Sequence, residues 1–200
     1  MGKNKVKLSK TEFKNHVSKF KEVKLDVGCG LNKKVGYIGI DVFNVKGVDL
    51  ILDLEKNKLP LKNNSVDIIY TSHFLEHVDN PIDILKEFNR VLKIGGKLTI
   101  IVPHYTNPYA YHFTHKSFWS SYSLDSNYLR YYLNSNLLLI SKKVNIKYFS
   151  LIDPILTKLA NLSLRTYERI FANFINAWEI EFELIKLKKI EKELTNVKLH

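Results

Sequence analysis

Two histidines stand four residues apart in the segment HFLEH, residues 73–77, with a glutamate directly before the second. On a long α-helix this spacing places both imidazoles on one face, where they can bind zinc. A zinc site also needs a further ligand and room for water around the metal. The segment instead lies between a predicted strand and a helix that begins near Pro81, which leaves room for little more than one turn. The sequence therefore predicts no metal here, and we interpret Glu76 and His77 as hydrogen-bonded structural groups.

Glycines and aspartates form a second group of interest, because the aspartates lie at the ends of apolar runs. Asp26 is followed by Gly28 and Gly30, and Asp41 and Asp53 close the next two runs. Glycine lets a ligand approach the backbone without meeting a Cβ atom. A carboxylate after a strand can accept hydrogen bonds from both hydroxyls of a ribose, and a further acceptor can meet an adenine amine. Together these residues predict a pocket for a nucleoside.

Five apolar runs bounded by turn-forming residues predict the strands that hold these side chains. The runs are VKLDVG (23–28), GYIGIDV (36–42), GVDLILDL (47–54), SVDIIYTS (65–72) and KLTIIVPH (97–104). Strands joined by crossovers predict an α/β fold with a doubly wound, mostly parallel sheet. In such a sheet, ligands bind beyond the carboxyl ends of the strands, where the glycines and aspartates lie.

Amphipathic patterns predict the helices and the last two strands. A capping box at Ser9 and Glu12 begins a helix over residues 9–21, with an apolar stripe at Phe13, Val17 and Phe20. A second helix begins at Asp79-Asn80-Pro81 and ends at Gly95-Gly96, and its inward residues are Ile82, Leu85, Phe88 and Leu92. Residues 154–176 predict one or two further helices. A sixth strand is predicted at Val144, Ile146 and Tyr148, and a seventh at WEIEFELIKLK (178–188).

Length, composition and charge narrow the class of protein. A chain of 200 residues has the size of one domain, residues 1–200. The net charge is +11, but residues 25–103 carry ten cationic and ten acidic side chains, so the excess lies in lysine-rich flanks. Lysine suits a solvated surface better than bidentate phosphate contacts, so nucleic acid is the alternative partner and not the leading one. With the single cysteine Cys29, no apolar run that spans a bilayer and no signal peptide, we expect a cytoplasmic protein without a transmembrane segment.

Five segments, in register and in order, resemble the class I S-adenosylmethionine-dependent methyltransferases, in particular the type 11 group. They are LDVGCG (25–30), IGIDV (38–42), LDLEKNKLPL (52–61), SVDIIYTSHFLEHV (65–78) and RVLKIGGKLTIIVP (90–103). The resemblance implies a Rossmann-like fold of seven strands with an antiparallel last strand, and S-adenosylmethionine as cofactor. One departure is the link LNKKVG between Gly30 and Tyr37, which is too short for a crossover helix and predicts a turn.

The resemblance also implies which residues bind the cofactor: Asp26, Gly28, Cys29, Gly30, Asp41, Val42, Asp53, Leu54, Ser72 and His73. Asp26 and the two glycines would line its methionine part, Asp41 would hold the ribose, and Asp53 with Leu54 would meet the adenine. Ser72 and His73 would border the sulfonium. The cofactor-binding half is thus residues 23–103, after an N-terminal helix at 1–22. Residues 104–135 and 151–177 are predicted to form the substrate-side loop and a helical cover.

A hydroxyl acceptor would need a base to take its proton, and the candidates lie in PHYTNPYAYHFTHKSFW (103–119). His104, directly after the fifth strand, is the first candidate, and Tyr105 and His115 follow. The alternative for His115 and Trp119 is that they only pack the loop.

Three classes of function follow from these residues. The leading one is methyl transfer to a small-molecule, sugar or lipid-linked acceptor. The alternative is an RNA methyltransferase that uses the basic flanks, which the lack of an RNA-binding module disfavours. A non-catalytic S-adenosylmethionine-binding protein is disfavoured by the intact pocket. The helices over 154–176 have three interpretations: packing against the sheet, a substrate lid, or peripheral contact with a membrane surface through Lys158, Arg165 and Arg169.

Overall fold

The structure is a computed structural model that describes residues 8–148 and 150–188. A sheet of seven strands, in the order β3-β2-β1-β4-β5-β7-β6, forms its centre. The strands are β1 (Lys24–Val27), β2 (Ile38–Asp41), β3 (Leu50–Ile51), β4 (Val66–Ser72), β5 (Leu92–Pro103), β6 (Leu137–Asn145) and β7 (Glu179–Lys186). The helices are α1 (Lys10–Val17), α2 (Pro81–Val91), α3 (Ser126–Leu133), α4 (Asp153–Leu162) and α5 (Leu164–Thr166), and a π-helical turn over Tyr167–Phe171 follows α5. The first seven residues of the predicted 1–22 segment lie outside the described residues, as does the end of the 1–200 domain.

The sheet confirms the predicted doubly wound, mostly parallel α/β fold. Strands β1 to β5 pair in parallel, whereas β7 runs antiparallel to both β5 and β6. Every residue of β2 and all but the first of β1 are buried, which explains their near-continuous apolar sequences. The strand order reverses between β1 and β4, and the carboxyl ends of these two strands therefore border a crevice.

The link between β1 and β2 contains only turns over residues 28–37, all of which the structure describes, so the predicted short crossover is confirmed. This link packs closely on β2. A Cβ atom at Gly39 would lie 2.8 Å from both the Cys29 Sγ and the Gly47 carbonyl oxygen. Asp49 holds the link from the other side, because its carboxylate accepts from the Gly39 amide at 2.8 Å and pairs with Lys33 at 2.7 Å.

Two predicted helices are shorter than their sequence patterns suggest. Helix α1 has the predicted capping box at Ser9 and buries Phe13 and Val17, but it ends at Val17 and leaves Phe20 45% exposed. Helix α2 ends at Val91, not at Gly95-Gly96, and it leaves Ile82 39% exposed. Leu92 is already extended and pairs with Val66, so β5 begins five residues before the predicted start. The positive φ of Gly95, 80°, lies where the pairing of these strands shifts register.

The second half of the chain contains one strand and one helix that differ from prediction. Strand β6 begins at Leu137, well before Val144, because Leu137 to Leu139 already pair with β7, and it ends at Asn145, before the predicted Ile146 and Tyr148. Helix α3 was not predicted; its N-cap Asp125 accepts from the Asn127 amide, and Leu129 and Leu133 are its buried residues. The predicted helices over 154–176 correspond to α4, α5 and the π-helical turn. None of the helices within residues 8–148 and 150–188 has the length and apolar character needed to cross a bilayer.

Candidate active site

A cavity of about 590 Å³ lies at the carboxyl ends of β1 to β4. This volume suits a ligand of nucleoside size or larger. Seven of the ten predicted cofactor-binding residues line it, namely Gly28, Gly30, Asp41, Val42, Asp53, Leu54 and His73. It also has lining residues that the sequence analysis did not assign to the cofactor, among them Phe43, Phe74, His77 and Thr114. Phe43 and Phe74 directly follow Val42 and His73, which were assigned to the cofactor. Their place in the sequence could therefore have predicted that they line the cavity.

Asp41 connects the glycine loop to the wall of the cavity. Its Oδ2 accepts from the Gly30 amide at 2.8 Å, and its Oδ1 accepts from the Phe43 amide at 2.9 Å. Each carboxylate oxygen can accept a second hydrogen bond, so Asp41 can still receive two ribose hydroxyls. Gly28 has a φ of 71°, and a Cβ atom there would lie 2.5 Å from the Cβ of Phe74. The loop therefore needs glycine at position 28 for its own packing as well as for ligand approach.

Asp53 also lines the cavity and is held by its own loop. Its Oδ1 accepts from the Glu55 amide at 3.0 Å, and its Oδ2 pairs with Lys56 at 2.9 Å. The hydrogen bond from Lys56 lowers the pKa of Asp53, so this carboxyl group is an acceptor at neutral pH.

Three predicted cofactor-binding residues do not line the cavity: Asp26, Cys29 and Ser72. Asp26 is buried and accepts from the Lys34 amide at 2.7 Å, so it holds the short crossover in place. Burial raises the pKa of Asp26, and it raises the pKa of the Cys29 thiol to about 12. Ser72 is the last residue of β4 and pairs with Ile101 of β5. In this structure these three residues are next to lining residues along the chain but do not line the cavity themselves.

The HFLEH segment is a turn and not a sustained helix, as the sequence predicted. His73 has a φ of 53°, in the left-handed region, and only Leu75–His77 form a single 3₁₀ turn. Nδ1 of His73 lies 3.3 Å from the Glu76 Oε1, and its Nε2 lies 3.5 Å from the Glu179 Oε2. The carboxylates of Glu179 and Glu76 raise the pKa of His73 to about 9 against the effect of burial. His73 is therefore a cation at neutral pH in this structure.

The turn and the loop after β5 together form what we call the pocket histidine cluster: His73, Glu76, His77 and His115. The amide of Lys116 donates to the Glu76 carbonyl oxygen at 2.6 Å, which brings His115 against the turn. The rings of His77 and His115 meet edge to face with centroids 4.6 Å apart. One potential ligand atom from each of Glu76, His77 and His115 lies within 4.8 Å of the others. The sequence does not indicate that His115 lies beside Glu76 and His77, because the two segments are far apart along the chain.

His104, the first candidate base, lies elsewhere. It is completely buried, its Nδ1 lies 2.8 Å from the Thr106 Oγ1, and its Nε2 lies 3.1 Å from the Glu168 Oε1. The same Glu168 carboxylate accepts from the amide and the hydroxyl of Ser121, at 2.6 and 2.7 Å. We call these four residues the buried histidine network. Because both ring nitrogens are occupied and no solvent reaches the ring, His104 is not placed to take a proton from a substrate in this structure.

The other two candidate bases are also held by backbone groups. The Tyr105 hydroxyl donates to the Glu168 carbonyl oxygen at 3.3 Å, and burial raises the Tyr105 pKa. Nδ1 of His115 lies 3.0 Å from the Ala110 carbonyl oxygen, which leaves the other ring nitrogen of His115 available. Trp119 is buried and packs in the loop, as one interpretation of the sequence had it.

The helices of the predicted cover do not line the cavity at the strand ends. Helices α4 and α5 and the π-helical turn instead border a second, smaller cavity of about 390 Å³, which is strongly apolar and adjoins Ile146. Their link to the strand ends is indirect, through Glu168 in the buried histidine network. Residues 154–176 therefore contribute no lining residue to the cavity at the strand ends, and a helical cover over the substrate stays a prediction.

Comparison with known proteins gives the class of this fold and site. Residues 25–100 match the family model described as a methyltransferase domain. An uncharacterized protein of Methanocaldococcus jannaschii is 30% identical over 103 residues, which cover 44% of this chain and 47% of that protein. The chain spans between 30% and 47% of the length of the curated relatives that it matches.

Two solved structures share the fold over most of both chains. A SAM dependent methyltransferase from Archaeoglobus fulgidus is 17% identical, with a TM-score of 0.54 over 88% of this chain and 92% of that chain. An S-adenosylmethionine dependent methyltransferase from Mesorhizobium loti is 12% identical, with a TM-score of 0.53 over 82% of this chain and 90% of that chain. The fold is thus the Rossmann-like methyltransferase fold. Residues 25–100 thus match a methyltransferase domain, and the fold is that of the class I S-adenosylmethionine-dependent methyltransferases. S-adenosylmethionine is the cofactor of this class.

Proposed function

We propose that this chain transfers a methyl group from S-adenosylmethionine to a hydroxyl group of a small, sugar or lipid-linked acceptor. The observation that carries the proposal is the cavity at the strand ends, which the glycine loop, Asp41, Asp53 and His73 line together. S-adenosylmethionine, when bound, supplies an electrophilic methyl group on a sulfonium. The residues fit it, because Asp41 keeps lone pairs for two hydroxyls and the pKa of Asp53 is lowered, so that its carboxylate can accept from an amine.

The chain contributes chiefly by positioning the two reactants. Holding an acceptor oxygen in line with the methyl carbon can supply several kcal/mol of the rate enhancement, on the order of 7–11 in well-oriented systems. The short crossover helps because it fixes the glycine loop rigidly on β2, through Asp49 and Gly39. The HFLEH turn fixes the opposite wall, because the Asp79 amide donates to the Glu55 Oε1 at 2.7 Å. Both walls are thus held before a ligand arrives.

The surroundings of the cavity support a partly apolar acceptor over RNA. The loop over residues 105–119 reaches the cavity at Thr114, and it exposes aromatic rings such as Tyr111, Phe113 and Phe118. Lys116 is the single lysine or arginine of this loop, and it pairs with Asp79 at 2.7 Å. A loop with exposed rings and one paired cation favours an acceptor with an apolar part over a polyphosphate chain.

A second surface supports a lipid-linked acceptor in particular. Leu151, Leu162 and Phe174 are 91%, 76% and 86% exposed on and around α4 and α5. Lys158, Arg165 and Arg169 lie in the same segment. Apolar side chains beside cations are the combination that binds a helix to an anionic membrane surface. We therefore include peripheral membrane contact in the proposal. Sedimentation with anionic vesicles tests it, and we expect the variant Leu162→Glu, which introduces a negative charge, to sediment less than the wild type. Equal sedimentation of this variant and the wild type would remove membrane contact from the proposal.

The acceptor class is tested by following labelled methyl transfer at two ionic strengths. The substrates are a panel of glycosyl and lipid metabolites and, separately, total RNA. We expect transfer to a metabolite with little dependence on salt. Transfer to RNA whose affinity falls steeply with salt would overturn the acceptor class, because release of counterions from contacted phosphates gives that dependence. No transfer to either class, although S-adenosylmethionine binds, would overturn the proposed activity itself.

A further inference from the structure

Glu76 is a buried carboxylate whose oxygens have no hydrogen-bond partner. Its exposed fraction is 1%, and neither Oε1 nor Oε2 finds a donor within the described part of the chain. Nδ1 of His73 approaches Oε1 to 3.3 Å, but without the alignment of a hydrogen bond. Removing an ionised carboxylate from water costs several kcal/mol unless partners compensate for it. A buried acceptor of this kind needs a partner beyond the described side chains, and a water molecule or a cation can be that partner.

His77 and His115 lie beside this carboxylate, and each has one ring nitrogen without a hydrogen bond within residues 8–148 and 150–188. Nδ1 of His77 lies 3.3 Å from the Thr114 carbonyl oxygen, and Nδ1 of His115 lies 3.0 Å from that of Ala110. A carbonyl oxygen can only accept, so in the neutral rings the proton is on Nδ1 and the lone pair is on Nε2. Backbone carbonyls that orient a histidine in this way are typical of metal-binding imidazoles. Both rings are therefore in the tautomer that binds a cation.

The three side chains are held together before any ligand binds. The Lys116 amide donates to the Glu76 carbonyl oxygen at 2.6 Å, and the Lys116 side chain pairs with Asp79 at 2.7 Å. These two contacts tie the loop that contains His115 to both sides of the turn that contains Glu76 and His77. The position of His115 thus follows from backbone contacts and does not depend on the flexibility of an isolated loop.

We propose that Glu76, His77 and His115 bind a divalent transition-metal ion in the wall of the cofactor cavity. Their potential ligand atoms lie within 4.8 Å of one another. Ligands about 2.0–2.2 Å from a common ion lie about 3–3.5 Å apart, so a movement of about 1 Å closes the site. Two imidazoles and one carboxylate suit ions such as Mn²⁺, Fe²⁺ and Zn²⁺, and three protein ligands leave positions open for a substrate. This inference reverses the prediction from the sequence that the segment holds no metal.

The open positions of such an ion would face the place where the acceptor has to bind. His77 and Thr114 line the cavity, and His73 lines it next to them. This role rests on the proposed function, because it assigns the ion to the acceptor of that same reaction. The ion would bind the acceptor hydroxyl oxygen and lower the pKa of its proton, which passes to water. The oxygen then forms the new bond to the methyl carbon, and the electron pair of the broken carbon–sulfur bond stays on sulfur.

The test measures binding of the metal alone and does not need the reaction. Protein freed of metal by a chelator is titrated with Mn²⁺ and with Zn²⁺ by calorimetry, and bound Mn²⁺ is followed by electron paramagnetic resonance. We expect saturable binding that Glu76→Gln, His77→Ala and His115→Ala each weaken about tenfold or more. The matched control is His112→Ala, because His112 lies in the same loop, is exposed, and is outside the three-residue site. Melting curves identify which variants are folded, and three independent variants ensure that one unfolded protein does not decide the test.

Two results would overturn the site. One is the lack of saturable binding by the wild-type protein up to about 1 mM ion, the weak end of biological cation sites. The other is binding that the three folded variants retain, or that His112→Ala weakens equally. Methyl transfer that continues in chelator would remove the role of the ion but leave the proposed function intact. Metal binding without any methyl transfer would support the metal site but contradict the proposed function. The two proposals can therefore fail independently.

Discussion

The buried histidine network and the pocket histidine cluster each contain a buried glutamate close to histidine, but the two glutamates differ in their hydrogen bonding. In the network, the Glu168 carboxylate accepts from His104 and twice from Ser121, and both nitrogens of His104 are occupied. In the cluster, Glu76 is also buried, but its oxygens accept no hydrogen bond within the described residues. The hydrogen bonds of the network thus connect the loop after β5 to the turn after α5, which is a structural role. The cluster keeps donors and acceptors open next to a cavity.

The difference shows how a buried polar group can be assigned to stability or to function. A satisfied group lowers the free energy of the fold and gives a ligand nothing to bind. An unsatisfied one raises that free energy, and selection retains it where activity requires it. Neighbours along the sequence do not separate the two cases, because His104 and His115 lie in the same histidine-rich segment. The following predictions test the comparison, from the largest expected effect to the smallest.

Glu168→Met is expected to cost about 3–5 kcal/mol of unfolding free energy, because it leaves His104 and Ser121 without their buried partner. Urea unfolding measures this loss. The graded control is Glu168→Gln, which keeps one carbonyl oxygen as an acceptor and should lose less. A loss below about 1 kcal/mol for the methionine variant would show that the network does not stabilise the fold, and that His104 is open to another role.

Lowering the pH should decrease the free energy of unfolding through Glu179, by about 3 kcal/mol at most. Burial tends to raise the pKa of Glu179, but hydrogen bonds from His73, Lys147 and Asn145 outweigh it and lower the pKa from 4.5 to about 2. A carboxyl group whose pKa is lowered by folding stabilises the fold above its unfolded pKa. That contribution is lost as pH falls from about 4.5 towards 2.

Unfolding free energies of the wild type and Glu179→Gln at pH 7 and pH 3 provide the measurement. The difference between the two proteins should be large at pH 7 and should shrink at pH 3. A difference that is the same at both pH values would mean that the charge of Glu179 does not stabilise the fold.

The cofactor half of the molecule could be predicted because its signals are local. Each strand from β1 to β4 is a short apolar run, and the residue that ends β2 also lines the cavity, as Asp41 shows. The short crossover followed from chain length alone. The errors at the start of β5 and in α2 arose because Gly95-Gly96 lies within a strand with shifted register and not at the end of a helix.

The roles of the histidines could not be predicted, because partners that are distant along the chain decide them. His104 and Glu168 are 64 residues apart, and nothing near His104 indicates that its ring is enclosed. His115 reaches Glu76 only through the backbone contact at Lys116. The start of β6 at Leu137 was missed for a related reason: a purely apolar run has no alternation, and its pairing with β7 shows only in the folded chain.

Asp41→Ala is expected to weaken S-adenosylmethionine binding by about 1.5–3 kcal/mol for each ribose hydrogen bond that it removes. This corresponds to at least a tenfold increase in the dissociation constant by calorimetry. Because Asp41 also accepts from two amides of the protein, a matched control is needed. Asp49→Ala is a suitable control, because Asp49 accepts from the Gly39 amide but does not line the cavity. Equal affinities of the Asp41 variant and the control would reject Asp41 as the ribose anchor.

Glu76→Met should leave the unfolding free energy unchanged or raise it slightly, which is the smallest effect on stability and the most informative. It is the same substitution as in the buried network, again at a buried glutamate, so the main difference is the hydrogen bonding of the carboxyl group. Removing a buried carboxyl group that has no hydrogen bonds relieves a desolvation cost, and methionine fills the space with apolar atoms. The lost approach to His73 costs little, because Glu179 remains 3.5 Å from the other nitrogen of that ring. Urea unfolding of both methionine variants under one set of conditions gives the comparison. If Glu76→Met lost as much stability as Glu168→Met, the carboxylate of Glu76 would be a structural group, and the reason to expect a ligand beside it would disappear.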